Sequence, residues 1–403
     1  MNEPIFDYGG EVSEKEVNVK VWPKEGNMTA LIDGDLLPYM TAFATEDIIG
    51  IQAQALVDQG HCASLKDTPQ FEGVFDSLCA TLNRWIRDCK CDSAIIYTTN
   101  SSSNFRLRLA YTNPYKGQRP EEKPVFFPEL KEKMSETFDL VVSDGNEADD
   151  DLSIEAWERY RRNIEPYGIQ VGSLKHKELS DSVTCSSDKD STITPTRNYN
   201  PQSRKHQWVT HIGELLPKYS KRMVNNYKYV GTGEFWKRGE KSGQEKLKRI
   251  IDGQVPSKAL EDLKGSGLKF FYAQIIMGDN ADNYKGLAGY GQTAAFEALN
   301  HLSTERELYE ATLSLYKEKY GEGTHWCPNY RGTQEYYDLC MSVKGVPPDD
   351  WDFWKGKGAY LTAYDRMLEQ GRMAWMQTFK GEIWRSHKSR IIYGDDKEFW
   401  HDR

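Results

Sequence analysis

The residues most able to do chemistry are acids at the ends of apolar runs. Asp279 and Asp282 stand three apart in Ile276-Met277-Gly278-Asp279-Asn280-Ala281-Asp282, a spacing that turns both carboxylates the same way and lets them reach one cation or its waters. Gly286, Gly289 and Gly291 follow, then Thr293 to Leu299 at helical periodicity. Backbone N–H groups at such a helix start are able to meet a phosphate. The plainer reading is a capped helix hairpin with solvated aspartates. Other acids recur upstream: Asp33 after Thr29 to Ile32, Glu147-Ala148-Asp149-Asp150 after Phe138 to Ser143, and Asp188 and Asp190 after Asp181 to Ser186. Glu147 and Asp150 fall on one helix face, with Asp149 to the side; acids in a first turn also suit the helix dipole without any metal.

These acids need a frame. Thr29 to Asp35, Ser93 to Asn100, Phe138 to Ser143 and Asp181 to Ser186 read as buried strands. Between the first two, Phe71, Val74, Phe75, Leu78, Leu82, Trp85 and Ile86 form a helical stripe, predicting a strand-helix-strand unit and a mainly parallel sheet with helices on its faces. Ligand sites in such α/β sheets lie at the carboxyl ends of the strands, where the acids stand. Further helices are predicted over about 305–320 and 360–378.

Gly-Asp-x-x-Asp-Asn followed by Gly-x-x-Gly-x-Gly-x-Thr-Ala resembles the helix–three-turn–helix motif of the 5′ nuclease family, which includes flap endonucleases and phage 5′ exonucleases. The resemblance extends to Asp33 at the first strand's end, to Glu147, Asp149 and Asp150, and to Asp188 and Asp190 in Ser-x-Asp-x-Asp. It implies a PIN-like 5′-nuclease fold with a helical arch, and assigns those residues with Asp279 and Asp282 to two divalent metal ions. Tyr115-Lys116-Gly117-Gln118-Arg119 looks like the family's segment at the base of the arch. Lys116 and Arg119 are then expected near the scissile phosphate as catalytic cations, with Arg106, Tyr115, Lys285, Gly286, Gly289 and Gly291 on DNA. The Leu368 to Ala374 segment resembles the C-terminal part of short phage 5′ exonucleases.

One position departs from the family's pattern. Asn100 stands where a metal-serving aspartate is expected, bringing an amide oxygen but no charge. Asp92 lies about seven residues away, more than 20 Å along an extended strand, at its opposite end. Asp35 or Asp144 is the acid expected to compensate.

Seven or eight carboxylates are too many for one cation, and imply two ions roughly 4 Å apart, one activating water and the other stabilising the leaving oxygen in phosphodiester hydrolysis. All-oxygen ligands favour Mg²⁺, with Mn²⁺ a substitute; the resemblance adds K⁺ at the helix–three-turn–helix motif. The expected activity is a 5′-to-3′ exodeoxyribonuclease on double-stranded DNA with a 5′ end, nick or flap. It would serve phage DNA degradation, primer removal, replication or recombination. The alternatives are a 5′ flap endonuclease, or a catalytically weakened DNA-binding member of the fold, the latter motivated by Asn100.

The chain has 403 residues, a net charge of −9 and 12% aromatic residues. An acidic body confines any nucleic-acid surface to a local basic patch. Such a patch is expected over about 197–264, where Arg204, Lys221, Arg222, Lys246 and Arg249 interleave with Trp208, Tyr219, Tyr227 and Trp236; a solvated face is the alternative. This reads as an insertion. Seven cysteines form no zinc-spaced pairs, and with no signal-like start or membrane-length apolar run the expected setting is a reducing cytoplasm, that of a phage-infected bacterial cell, and a monomer. The expected divisions are a tail at 1–28, a nuclease domain at 29–300 with a helix–three-turn–helix at about 268–300, and a helical extension at 301–403.

Overall fold

The computed structural model describes residues 28–100, 104–118, 123–348, 350–357, 360–385 and 390–392. The expected N-terminal tail, apart from Met28, and Arg119 lie outside them. The frame is a six-stranded sheet of β1 (Thr29–Asp33), β2 (Ser93–Thr99), β3 (Leu140–Ser143), β4 (Ser182–Cys185), β5 (Arg197–Asn200) and β6 (Lys205–Trp208), in the order β3-β2-β1-β4-β5-β6. β1 runs parallel to both β2 and β4, β3 and β5 continue the parallel set, and β6 closes it antiparallel to β5.

Apolar residues in the central strand serve both faces because side chains alternate along a strand. Ala30 and Ile32 pack with Phe71, Val74, Leu78 and Trp85 of helix α1 (Pro69–Asp88). Leu31 packs on the other face with Tyr97 and with Ala148, Leu152 and Ala156 of helix α2 (Ala148–Asn163). The chain fills one side of β1 with β2 and β3, then crosses to place β4 on the other side. That reversal opens a crevice at the carboxyl ends of β1 and β4, the usual ligand position in a doubly wound sheet.

The hairpin is present as helix α3 (Gly267–Met277), a turn over 278–291, and helix α4 (Gln292–Leu299). Its turn is held by reciprocal backbone hydrogen bonds between Asp279 and Tyr284, at 2.8 and 3.0 Å. Gly286 must be glycine: its φ is +64°, and a Cβ there would lie 2.4 Å from the Gly278 nitrogen and 2.5 Å from the Ile276 oxygen.

Two expectations about organisation change. The expected insertion over about 197–264 starts later, because Arg197–Asn200 and Lys205–Trp208 pair into the main sheet as β5 and β6; the separate compact unit is Leu215–Lys264. In that unit β7 (Leu215–Phe235) and β8 (Glu245–Gly265) form a two-stranded ribbon. The C-terminal region, expected as an extension, belongs to the same compact unit as the sheet: helices α5 (Glu305–Tyr320) and α6 (Ala363–Ala374) both pack on α3. Among the described residues no helix is long and apolar enough to cross a membrane.

Candidate metal centre

Two groups of three acids converge. Glu147, Asp149 and Asp150 come from the start of α2, and Asp190, Asp279 and Asp282 come from the loop after β4 and the turn after α3; within each group the carboxylate oxygens lie within 4.8 Å of one another. Tyr115 joins the groups. Its hydroxyl lies 2.8 Å from Glu147 Oε2 and 3.1 Å from Asp282 Oδ2. Lys116 pairs with Glu147 Oε1 and lies 3.9 Å from Asp282 Oδ1, so one cation and one hydroxyl span both groups.

The first group is heavily satisfied by the protein itself. Arg106, from helix Phe105–Leu109, binds Asp150 in a two-point contact and reaches Glu147 Oε2 at 3.4 Å. Its remaining N–H groups donate to the carbonyls of Met373 and Trp375, at 3.1 and 2.7 Å. Glu147 and Asp150 also cap α2 reciprocally, so part of their role is the plain one that acids play at a helix start. Burial opposes ionisation of Glu147, yet Lys116 and Arg106 outweigh it and hold its carboxyl below the usual range. At Asp149 the balance is reversed: burial, with Glu147 and Asp150 beside it, outweighs Arg106 and Lys116 and holds it well above the usual range.

The second group is the more electron-rich. Lys189 pairs with Asp279 at 2.6 Å and Gln274 donates to Asp190, but three buried carboxylates remain together. Burial, then the like charge of Asp188, pushes Asp190 up to about 8. Asp33 behaves similarly at the end of β1: burial and the charges of Asp35 and Asp188 push it up to about 7, against a hydrogen bond from Ser186 Oγ at 3.1 Å. Asp188 stays close to this pair, its N–H donating to Ser186 Oγ, while its Oδ1 accepts from the Asp190 N–H at 2.9 Å.

The donor set fits a divalent cation. Carboxylates crowded against like charge are stabilised by a compact ion with oxygen affinity. The Tyr284 hydroxyl and Gln274 Oε1 are buried with no hydrogen-bond partner among the described residues, and Tyr284 lies in the field of Asp190, Asp279 and Asp282. Unpartnered oxygens beside clustered acids are sites that ordered water or a hydrated ion satisfies.

Three expected DNA contacts take other roles. Arg106 is 2% exposed and saturated by Asp150, Glu147 and two carbonyls, so it is an internal counter-ion. Tyr115 is buried and therefore has no free ring face for a base. The Gly286 N–H donates to Gln370 Oε1 at 2.8 Å, which removes that amide from phosphate binding. Lys285, Gly289 and Gly291 are exposed on the turn, as a phosphate contact requires.

Sequence reasoning missed Lys189, Gln274, Tyr284 and Glu369. Lys189 lay between two candidate acids and was legible in principle. Glu369 was not: it reaches across 257 positions to accept from the Thr112 N–H and hydroxyl, each at 2.7 Å, and also accepts from the Tyr111 N–H. These bonds anchor the segment that carries Tyr115 and Lys116. Burial pushes Glu369 up to about 7. Asn100, expected to stand in for an acid, sits past the end of β2 with its N–H donating to the Ser143 carbonyl at 3.1 Å, while Asp92 is at the opposite end as expected. Asp35 accepts from the Thr99 N–H at 2.9 Å and pairs with Lys131.

No family model matches the chain, and no curated protein matches it. Among solved structures it is similar to the 5′-exonuclease of bacteriophage T5 with zinc ions bound, at 16% identity over 81% of this chain and 96% of that one, with a TM-score of 0.37. It is also similar to the bacteriophage T5 flap endonuclease in a pseudo-enzyme-product complex with DNA and metal ions, at 14% identity over 85% of this chain and 98% of that one, with a TM-score of 0.36.

Proposed function

We propose that the chain is a divalent-metal-dependent nuclease that hydrolyses phosphodiester bonds of duplex DNA from a 5′ end, with Mg²⁺ as the working ion and Mn²⁺ as a substitute. The observation that carries this reading is the meeting of two carboxylate groups through Tyr115 at the carboxyl ends of the sheet. The motif resemblance described above supports it. Asp190, Asp279 and Asp282 would hold one ion and Glu147, Asp149 and Asp150 the other, with Asp33 and Asp188 acting through water. Ions at such sites lower the pKa of bound water and stabilise charge on phosphoryl oxygens.

The chain's own residues then divide the remaining work. Tyr115 fixes the distance between Glu147 and Asp282 and is a positioning residue. Lys116, 24% exposed between the groups, is offered to a phosphate that competes with Glu147 for its ammonium, and so neutralises charge that builds in the transition state. Lys285 with the exposed amides at Gly289 and Gly291 would hold the duplex strand through its phosphates, with K⁺ an added candidate at that turn. Arg119, as a second cation near the scissile phosphate, remains part of the proposal.

Exonuclease action is the favoured mode and flap cleavage the near alternative. A time course with Mg²⁺ on 5′-labelled blunt, nicked and flapped duplexes tests both. Release of mono- or short oligonucleotides from blunt and nicked duplexes supports the first, cleavage confined to flaps supports the second, and no cleavage in Mg²⁺ or Mn²⁺ overturns both.

A second reading has its own observation. Asn100 brings no charge, and Arg106 and Lys116 already pair with Glu147 and Asp150 of the first group. On that reading the protein binds DNA without cutting it, and cleavage appears in Asn100→Asp.

A further inference from the structure

The ribbon Leu215–Lys264 has features that the proposed hydrolysis does not use. It carries twelve Lys and Arg against six Asp and Glu, a net +6 inside a chain of net −9. Its strands also sort their charges. On β7 the even-numbered positions Lys218 and Lys228 pair across to Glu261 and Asp252, at 3.2 and 2.8 Å, and Glu234 pairs with Lys246 at 2.9 Å. Side chains alternate faces along a strand, so the odd-numbered positions Tyr219, Tyr227 and Tyr229 belong to the opposite face. There the neighbours are cations: Lys258 lies 3.9 Å from the Tyr219 ring centre and Arg249 lies 4.2 Å from that of Tyr227. Neither cation has an acidic partner among the described residues.

Five aromatic rings of this unit, Tyr219, Tyr227, Tyr229, Phe235 and Trp236, are each at least 42% exposed. Two-stranded ribbons bury little apolar area of their own and are marginal in water. A run of exposed rings on such a scaffold needs a partner to cover it. Unpaired Lys and Arg beside those rings specify a polyanion, and rings spaced along a strand specify one whose flat groups are unstacked and free to lie on them. Single-stranded nucleic acid has both properties: phosphates for the cations and a π-face on every base.

We propose that the ribbon is a single-strand-binding arm, with the face of Tyr219, Tyr227, Tyr229, Arg249 and Lys258 taking successive bases and phosphates. The inference stands apart from the hydrolysis proposed above, since it concerns binding without metal. Its failure and that of the nuclease reading are read in separate experiments.

The test uses the full chain in EDTA with a fluorescent twenty-nucleotide oligothymidylate and a duplex of the same length. Replacement of Tyr219, Tyr227 and Tyr229 by Ala is expected to weaken oligothymidylate binding at least tenfold, with duplex binding changed less than threefold, since stacking contributes at each base. Arg249→Ser with Lys258→Ser is expected to lower the salt dependence of the same binding. A second variant guards against misfolding of the ribbon. Because Glu214 and Ser266 exchange backbone hydrogen bonds at 3.2 and 2.9 Å, residues 217–262 can be replaced by a short Gly-Ser turn, and that chain should lose oligothymidylate binding to the same extent. Unchanged oligothymidylate binding in either the tyrosine or the excision variant overturns the proposal. So does a wild-type dimer that becomes a monomer on excision while still binding the oligonucleotide, which would make the ribbon an interface between copies.

Discussion

Arg106 holds Asp150 with both terminal nitrogens, Nη2 to Oδ1 at 2.8 Å, in a position where Asp150 is 0% exposed. A buried carboxylate paired in this way depends on its partner, because either charge left alone in the interior is costly. Arg106→Ala is expected to destabilise the chain by about 3–5 kcal/mol. Arg106→Lys should recover little of this, since an ammonium cannot reproduce the two-point contact. Urea unfolding measures both; a loss under about 1 kcal/mol for Arg106→Ala contradicts the internal counter-ion role.

The same pair determines which variants can test the chemistry. Asp150→Ala removes a candidate ligand and also strands Arg106, so loss of activity there reports fold and site together. Asp190→Asn and Asp282→Asn keep the shape of their side chains, and among the described residues Asp190 makes no comparable two-point pair.

Tyr115 spans the two acid groups through its hydroxyl alone. Tyr115→Phe is expected to retain the fold, with Mn²⁺ affinity measured by calorimetry falling by about 10–100-fold, as for other residues that orient metal ligands. Unchanged affinity would remove Tyr115 from the centre.

Gly286 separates a structural from a functional glycine in the hairpin turn. Gly286→Ala is expected to cost more than about 1 kcal/mol, because the native φ is positive and a Cβ meets backbone at 2.4 Å. A thermal shift of several degrees is the readout; wild-type stability would mean that the turn relaxes around the added methyl group.

His176 gives a pH dependence remote from the acids. It is buried, and its Nδ1 accepts from the Gly172 N–H at 2.9 Å between the rings of Tyr160 and Trp208. Burial lowers it to about 4 from an ordinary 6.5. The unfolded chain therefore takes up a proton first, so this contribution is complete above pH 6.5 and is lost as pH falls toward 4, by about 3 kcal/mol in all. Urea midpoints at pH 7.5, 6 and 5 should fall more steeply for the wild type than for His176→Asn. Parallel slopes contradict the assignment.

Much of this frame was legible because it is local. Apolar runs marked β1 to β4, with acids following all but β2, and the stripe from Phe71 to Trp85 marked α1, since burial on one face imposes a 3.6-residue period. The acids that converge were legible from strand-end and first-turn positions. What stayed hidden depends on distant partners. Arg106 looked like a cation for DNA from the motif resemblance alone; its burial follows from carbonyls 267 and 269 positions away. β5 and β6 looked like part of a basic insertion because Arg197–Asn200 and Lys205–Trp208 lack the apolar signature of the central strands.

On the proposed function, the two acid groups form one divalent metal centre for DNA hydrolysis. Its most direct test is the initial rate of product release from 5′-labelled duplex DNA in Mg²⁺, for the wild type beside Asp190→Asn and Asp282→Asn proteins of matched thermal stability. EDTA-sensitive cleavage by the wild type is expected, with a loss of about 100-fold or more in each variant. Cleavage at the wild-type rate by either well-folded variant would contradict it.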